Sequence, residues 1–201
     1  MVAMRRFGDD ESKVPYFDVG LRILAEQGFT GLKLTTVCAE LDVTTGGFYY
    51  YFKNLRHFID ELINYWLESW TEDMVRTAEA ESDPFARLRI LIDEGTRLPH
   101  QTEAAIRHWA ASDPAVATAM HRADSARTQV LRDTLATLGL DEAERDQIAE
   151  SALYLLIGYE FRDPQRQNPE TFRWGLHLLL EYIERRAAAT SGDAEPEASR
   201  M

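Results

Sequence analysis

The sequence predicts an all-α fold, in which a small three-helix domain is joined by a long helix to a larger all-helical domain. Apolar residues recur every three or four positions over most of the 201 residues, as in helices with one buried face. Three pairs of a capping residue and a proline indicate helix starts: Asp83-Pro84, Asp113-Pro114 and Asn168-Pro169. No segment shows the alternating apolar and polar pattern of a half-buried strand.

The first predicted helix runs from about Pro15 to Gln27 and follows an arm of residues 1–12. Phe17, Leu21 and Leu24 are spaced i, i+4 and i+7, so they share one apolar face. Gly28 then provides a natural stop at the carboxyl end of this helix. We expect the helix to support the segment that follows it.

Residues 33–52 predict two helices separated by a tight turn. Leu34, Val37 and Leu41 lie on one face of the first helix. Asp42 falls in the turn, where Asp tolerates a left-handed backbone better than most residues with a Cβ. The pattern is that of a helix-turn-helix, which inserts its second helix into a DNA major groove.

The second helix of this motif is predicted from about Thr45 to Tyr51, with Thr44 as its amino-terminal cap. Phe48 and Phe52 are spaced i, i+4 and should face the core. Residues on the outward side of the motif are the predicted DNA contacts, and they are Thr35, Thr44, Thr45, Gly46, Gly47, Tyr49, Tyr50, Lys53 and Arg56. The alternative is that this side is an ordinary solvated surface.

Two glycines begin the second helix, although each costs about 1 kcal/mol relative to alanine in a helix. Gly46 and Gly47 make sense where the backbone lies very close to a phosphate oxygen or a base edge. The hydroxyls of Tyr49 and Tyr50 have the reach to bind phosphates, which sets the register on DNA without reading its sequence.

The segment VTTGGFYYYFKNLRHF resembles the recognition-helix signature of the tetracycline-repressor (TetR) family of transcriptional regulators. The positions that match this signature are Thr44, Gly46, Phe48, Tyr49 and Phe52. Three positions depart from it. Gly47 replaces a usual Thr, Leu55 stands where a phosphate-binding Lys is common, and Asp42 replaces a turn glycine. Lys53 or Arg56 is a possible substitute for the missing lysine.

The resemblance implies a homodimeric repressor that binds a palindromic DNA operator and is released by a small, largely apolar effector. The departures at Gly47 and Leu55 leave one alternative open. In that alternative the chain is a dimeric ligand-binding protein of the TetR fold whose DNA binding is weak or lost.

The net charge of −12 is unusual for a DNA-binding protein, because acidic surfaces repel phosphates. Residues 1–60 carry a net charge of only −1, however, and no acid occurs from Val43 to Ile59. Arg5 and Arg6 in the arm have the chemistry to reach a minor groove, with a disordered start as the favoured alternative.

A long helix is predicted from about Leu55 to Ala80, with apolar stripes on two sides. Further helices are predicted at about 84–98, 102–111, 114–138, 142–161 and 169–187. The domain organisation is therefore an arm (1–12), a DNA-binding domain (13–58), a helical regulatory and dimerisation domain (59–187) and a disordered tail (188–201).

The last two helices share an apolar spacing that suits a four-helix bundle between two copies of the chain. The TetR resemblance implies this arrangement, and the alternative is that both stripes serve only the core of one chain. The predicted dimer residues are Ala152, Leu155, Leu156, Tyr159, Phe172, Leu176, Leu179, Leu180 and Ile183.

Aromatic and histidine residues are frequent in the middle helices, and apolar walls with a few polar groups are typical of small-molecule pockets. The resemblance implies an effector pocket in this region, although each aromatic has core packing as its simpler role. The residues predicted to line the pocket are Trp66, Trp70, His108, Trp109 and Tyr154.

Other classes of protein are disfavoured. The sequence has no glycine-rich phosphate loop, no His-Glu-x-x-His motif and no nucleophile elbow, so we expect neither an enzyme nor a catalytic residue. A single cysteine, Cys38, and scattered histidines predict no metal site and no cofactor. No apolar run is long enough to span a membrane, and we expect a cytoplasmic protein.

Overall fold

The computed structural model describes residues 11–162 and 168–192, which form helices joined by short connections. No strand occurs in these two ranges, and the predicted all-α fold is confirmed. The helices are α1 (Val14–Gln27), α2 (Leu34–Leu41), α3 (Thr45–Tyr51), α4 (Leu55–Trp66), α5 (Asp73–Glu79), α6 (Pro84–Arg97), α7 (His100–Ala110), α8 (Pro114–Thr137), α9 (Glu142–Glu160) and α10 (Pro169–Gly192).

Side-chain caps begin helices α6, α8, α9 and α10, and those of α6, α8 and α10 lie at the predicted positions. In each case a carboxylate or amide oxygen accepts a hydrogen bond from a backbone N–H two or three residues later, at 2.7–3.1 Å. These bonds satisfy donors that the first turn of a helix otherwise leaves without a partner. The capping residues are Asp83, Asp113, Asp141 and Asn168.

The predicted long helix is continuous but not uniform. A π-helical segment, Leu67–Glu72, joins α4 to α5, so the helical path extends from Leu55 to Glu79. Both of its apolar sides contain buried residues, such as Phe58 on one side and Ile63 on the other, beside partly buried ones. The π-helical turn was not part of the prediction, because apolar spacing alone does not distinguish it from an α-helical turn.

The chain divides into two compact units. The amino-terminal unit comprises Met1–Asp73 and Pro99–Ala123, and the second unit comprises Met74–Leu98 and Asp124–Met201. This division differs from the predicted boundary at residue 58. Helices α4 and α7 both pack against α1, and these contacts bring them into the amino-terminal unit.

The core of the amino-terminal unit is aromatic. Phe48, Phe52, Phe58 and Trp66 have no exposed surface, and Phe17 is 2% exposed. The Phe52 ring meets those of Phe48 and Phe58 at centroid distances of 5.0 Å, within the range of favourable aromatic pairs. This core holds α1, α2, α3 and α4 together, which positions the predicted recognition helix.

The core of the second unit is aliphatic, and α10 packs there against α6 and α9. Its buried residues are Leu88, Ile92, Leu135, Leu140, Ile148, Leu180 and Ile183. Helix α10 continues to Gly192, five residues beyond the predicted end, because Ala187 is buried and the Ala187–Ala189 run favours a helix. The predicted arm, apart from Glu11 and Ser12, and residues 193–201 of the predicted tail lie outside the described residues.

Candidate nucleic-acid interface and ligand cavity

The turn between α2 and α3 has the predicted left-handed residue. Asp42 has φ 53° and ψ 43°, and its N–H donates to the Ala39 carbonyl oxygen at 3.3 Å. The N–H of Val43 donates to the Cys38 carbonyl oxygen at 3.0 Å, which closes the end of α2. The predicted helix, turn and helix are therefore confirmed for residues 34–51.

Helix α3 begins at a side-chain cap, and its inner face packs into the core through fully buried aromatic side chains. The Thr44 hydroxyl oxygen accepts the Gly47 N–H at 3.2 Å. Below it, Phe48 and Phe52 have no exposed surface. The predicted DNA contacts are exposed, apart from the partly buried Gly47, and they include Thr35, Thr44, Thr45, Gly46, Tyr49 (52% exposed), Tyr50 (83% exposed), Lys53 and Arg56.

The glycines of α3 are not required by the packing of the chain. A Cβ atom at Gly46 would meet only the Thr44 hydroxyl oxygen, at 3.7 Å. A Cβ atom at Gly47 would meet the same oxygen at 3.7 Å and the Val43 Cβ atom at 3.8 Å, both ordinary contacts. Neither residue has the positive φ that would favour glycine. The fold thus offers no compensation for the cost of two glycines in a short helix.

The two predicted basic contacts differ in their surroundings. Arg56 forms ion pairs with Asp60 at 2.9 Å and with Asp113 at 2.7 Å. The hydrogen bond from Arg56 holds the pKa of the Asp113 carboxyl below its usual range. Lys53 is exposed and has no side-chain ion pair with any residue that the structure describes. Lys53 is therefore the better placed of the two to contact a phosphate.

The predicted pocket residues do not surround a common cavity. Trp66 is fully buried in the amino-terminal unit, and its Nε1–H donates to the Glu103 carboxylate at 2.8 Å. Trp109 stacks on Phe29 at 5.7 Å, and Trp70 is partly buried against the same core. His108 and Tyr154 are exposed. Large aromatic side chains fill this core, and none of the five predicted residues lines the cavity described next.

A partly open cavity of about 110 Å³ lies within the second unit and is lined mainly by residues of α5, α6, α8, α9 and α10. The described residues that line it are Met74, Leu88, Leu91, Ile92, Gly95, Leu98, Arg127, Thr128, Leu131, Ile148, Ala149, Ala152, Leu153, Leu156, Phe172, Leu176, Leu179, Leu180 and Ile183. The sequence pattern does not predict this cavity. One signal was present, because Arg127 interrupts the apolar stripe of α8 four residues before Leu131.

Most residues of the predicted dimer stripe also line the cavity of a single chain, and their role in a dimer stays a prediction. Seven of its nine residues line the cavity: Ala152, Leu156, Phe172, Leu176, Leu179, Leu180 and Ile183. Tyr159 stacks on the Phe172 ring at 4.6 Å, and Leu155 is the exposed member at 38%. Four of the nine residues are buried by this chain's own helices, and they are Leu156, Phe172, Leu180 and Ile183. Apart from the exposed Leu155, the others are partly buried.

A set of apolar side chains on α9 and α10, which shares only Leu155 with the predicted dimer stripe, is exposed, and we call it the apolar face. Its members are Tyr154, Leu155, Trp174, Leu178 and Tyr182, which are 38–66% exposed. On α10 they are spaced i, i+4 and i+8, so they form one stripe. Leu155 of α9 lies beside this stripe, because its methyl groups are 3.7 Å from the Cβ position of Gly175.

Within residues 11–162 and 168–192, no group of three or more His, Cys, Asp or Glu side chains has an arrangement that would hold a metal ion. No helix in the same ranges is long and apolar enough to cross a membrane.

Comparison with known families supports the assignment of the helix-turn-helix. Residues 17–62 match the family described as "Bacterial regulatory proteins, tetR family". The matched region begins in α1 and ends in α4, so it contains the whole motif. No curated protein sequence is significantly similar to the chain.

Solved structures with similar folds cover most of the chain. A transcriptional regulator from Saccharomonospora viridis in complex with choline has a TM-score of 0.73 at 14% identity, covering 87% of this chain and 97% of its own. A TetR transcription regulator from Haloarcula marismortui has a TM-score of 0.69 at 21% identity, with coverages of 90% and 98%. The regulator FadR from Bacillus subtilis in complex with stearoyl-CoA has a TM-score of 0.62 at 17% identity, with coverages of 83% and 97%.

Proposed function

We propose that this chain, which belongs to the TetR family of bacterial regulatory proteins, represses transcription as a homodimer that an effector releases from DNA. The observation that carries the proposal is helix α3. Its inner side chains, Phe48 and Phe52, are fully buried, while Tyr49 and Tyr50 project into solvent. A short helix anchored in this way is suited to enter a major groove.

The outward residues of α3 have complementary roles at a DNA surface. The hydroxyls of Tyr49 and Tyr50 and the ammonium group of Lys53 are suited to bind phosphates. The absence of acids from Val43 to Ile59 keeps like charges away from this side of the motif. Gly46 and Gly47 have no side chain that would hold DNA away from the helix backbone. The packing of the chain does not require them, because a Cβ at either position would make only ordinary contacts within the protein.

Dimerisation follows from the small size of α3, because a helix of seven residues contacts few base pairs. A two-fold dimer presents two recognition helices to half-sites about 34–36 Å apart, or a multiple of that spacing. The apolar face of α9 and α10 supports this step. Exposed side chains such as Trp174 and Leu178 gain by burial against a second copy of the same face.

The cavity of the second unit supports control by a small, largely apolar effector. Its aliphatic lining favours apolar groups over water. An effector releases DNA only if it binds the DNA-free conformation more tightly than the DNA-bound one, which shifts the population between the two. The choline and stearoyl-CoA complexes of similar folds show small molecules bound to those proteins.

A mobility-shift experiment with DNA from upstream of the protein's own gene tests the proposal. We expect retardation at low salt, and Lys53→Ala should reduce the slope of log affinity against log salt by about one. Tyr49→Phe should weaken binding about equally on all sequences. Arg185→Ala, which removes an exposed charge on α10, is the matched control and should leave the slope unchanged. Absence of retardation with a folded dimer would exclude DNA binding.

The second candidate is a dimeric ligand-binding protein that has weak or no affinity for DNA. Leu55 favours it, because this residue is partly buried against the aromatic core instead of reaching outward as a phosphate-binding lysine would. The net charge of −12 also favours this candidate, because an acidic protein surface repels DNA phosphates. Effector binding together with no DNA retardation would select this function.

A further inference from the structure

Arg56, a predicted DNA contact at the start of α4, is held by two carboxylates of the amino-terminal unit. Its Nε lies 2.9 Å from Oδ1 of Asp60, one turn further along α4. Its Nη1 donates to Oδ2 of Asp113 at 2.7 Å, although the two residues are 57 positions apart in the sequence. No acid occurs from Val43 to Ile59, but the fold brings two acids to the one arginine of this stretch.

The Asp113 carboxylate has two roles at once. Its Oδ1 accepts the N–H groups of Ala115 at 3.0 Å and Val116 at 3.4 Å, and so caps α8. Its Oδ2 accepts the hydrogen bond from Arg56. The Asp113 side chain is only 18% exposed, whereas that of Asp60 is 50% exposed, so water screens the Asp113 ion pair less. The position of the Arg56 guanidinium therefore depends on the start of α8.

These ion pairs change what Arg56 offers to DNA. One guanidinium and two carboxylates together carry a net negative charge, which does not attract phosphates. Nε and Nη1 already donate to protein carboxylates, which leaves fewer donors for a phosphate. Lys53, by contrast, has no side-chain ion pair with any residue that the structure describes. The fold thus leaves one cation of this surface available and neutralises the other.

From these contacts we infer that Asp113 restrains DNA binding, because its ion pair with Arg56 withholds the guanidinium from the phosphate backbone. The inference rests on the proposed function, since it concerns DNA binding by the same motif. It goes further by giving a role to a residue outside the helix-turn-helix and by making one phosphate contact conditional. A displacement of the start of α8 away from α4 releases Arg56, which then adds a phosphate contact to that of Lys53.

The test uses Asp113→Asn, which removes the negative charge but retains a side-chain oxygen that caps α8. The probe is a random-sequence duplex of about 30 base pairs, because phosphate contacts do not depend on sequence. We expect this variant to bind the duplex about fivefold to tenfold more tightly than the unmodified chain at about 0.1 M salt. Its slope of log affinity against log salt should steepen by about 0.9 for each chain in contact with DNA.

Two controls separate the release of Arg56 from the loss of an acid. Asp133→Asn makes the same substitution at an exposed position of α8 in the second unit, and it should leave affinity and slope unchanged. Arg56→Gln should abolish the gain when it is added to Asp113→Asn, and it should weaken binding clearly less in the unmodified chain. No gain in Asp113→Asn, or a gain that persists without Arg56, would overturn the inference.

The inference remains testable if Asp113→Asn fails to fold, which circular dichroism reports. Arg56→Gln in the unmodified chain is then compared with Lys53→Ala on the same duplex. A clearly smaller loss of affinity and slope in Arg56→Gln supports the restraint, because only Lys53 is available to phosphates. Equal losses would show that Arg56 contacts DNA despite its ion pairs, and would reject the restraint.

The two proposals fail separately. Retardation of the upstream DNA by the unmodified chain, with no gain of affinity in Asp113→Asn, would reject this inference and leave the repressor proposal standing. No retardation of the upstream DNA by the unmodified chain, together with a gain on the random duplex that requires Arg56, would reject repression and leave this inference standing.

Discussion

The two units of this protein pack their cores differently. In the amino-terminal unit five large side chains, those of Phe17, Phe48, Phe52, Phe58 and Trp66, are at most 2% exposed and belong to one core. The four phenylalanine rings form a connected set of ring contacts. In the second unit leucine and isoleucine side chains surround a cavity of about 110 Å³.

In this chain the density of aromatic residues is a poor guide to where a cavity lies. Rings fill the unit that must hold a recognition helix in place, since large side chains with few rotamers pack into a well-defined core. Aliphatic side chains leave space in the unit that is proposed to bind an effector. A ligand in that space would recover contacts that the lining residues otherwise lack.

The largest expected effect comes from opening a hole in the aromatic core. Phe52→Ala should lower the free energy of unfolding by about 3–5 kcal/mol, because the surrounding rings lose contacts and cannot close the space. Leu176→Ala, at the edge of the existing cavity, should cost less than half as much, since this side chain already borders empty space. Denaturant unfolding followed by circular dichroism measures both, and equal losses would contradict the contrast between the two cores.

The second prediction adds a methyl group to the cavity wall of the second unit, whereas the first removes side-chain atoms. Gly95 lines the cavity and lies two residues before the end of α6, and a Cβ there meets no atom within 4 Å. Gly95→Ala should raise the free energy of unfolding by up to about 1 kcal/mol through helix propensity. The added methyl group should also weaken the binding of a small apolar probe in the cavity, because it takes up part of the space that Gly95 lines.

Gly158→Ala is the matched control, because Gly158 lies two residues before the end of α9, has equally open space and does not line the cavity. It should give a similar gain in thermal or denaturant stability with unchanged probe affinity. A loss of probe binding in both variants would show that the effect does not arise in the cavity.

A smaller change in stability, with an opposite change in function, is expected at the recognition helix. Gly47→Ala should stabilise the amino-terminal unit by less than about 1 kcal/mol, since the new Cβ makes only ordinary contacts. The same methyl group should weaken operator binding by blocking close approach of the backbone. Denaturation and mobility-shift titrations measure the two effects, and tighter DNA binding in this variant would argue against close approach at this position.

The smallest effect concerns the ion pair between α9 and α10. Two hydrogen bonds from Arg186, at 2.6 and 3.2 Å, and one from Tyr182 hold the pKa of the Glu144 carboxyl below its usual range. A lowered carboxyl pKa stabilises the folded state above the usual value, about 4.3, and this stabilisation is lost as the pH falls through the folded-state value.

Arg186→Gln should therefore slightly reduce the denaturant midpoint at about pH 7, and the difference from the unmodified chain should vanish in strong acid. Arg185→Gln, at an exposed neighbouring position, controls for the loss of one positive charge. A difference between the Arg186 variant and the unmodified chain that persists unchanged in acid would show that Glu144 is not its source.

Local features were predictable because their causes lie within a few residues of sequence. The left-handed Asp42, the Thr44 cap and the inward Phe48 and Phe52 each depend on side-chain chemistry or helical spacing. The same holds for the helix starts at Asp83 and Asp113, where the capping oxygen and the N–H it accepts are two or three positions apart.

The cavity and the apolar face were not predictable, because spacing shows that a side chain is buried without showing what buries it. Leu180 and Ile183 follow a stripe that a partner subunit or the same chain is equally able to cover. Trp66 and Trp109 have the chemistry of pocket residues, but they fill the core of the amino-terminal unit. Such outcomes depend on contacts between helices that are far apart in the chain.

By itself, the sequence determined the all-α class, the position of the helix-turn-helix and its outward residues, because helical period and capping act over short distances. Only the tertiary structure decided that the cavity is aliphatic, that Arg127 lies in its wall and that Trp174 and Leu178 are exposed. The physical reason is that α6, α8, α9 and α10 jointly create this space, and no single helix contains the information for it.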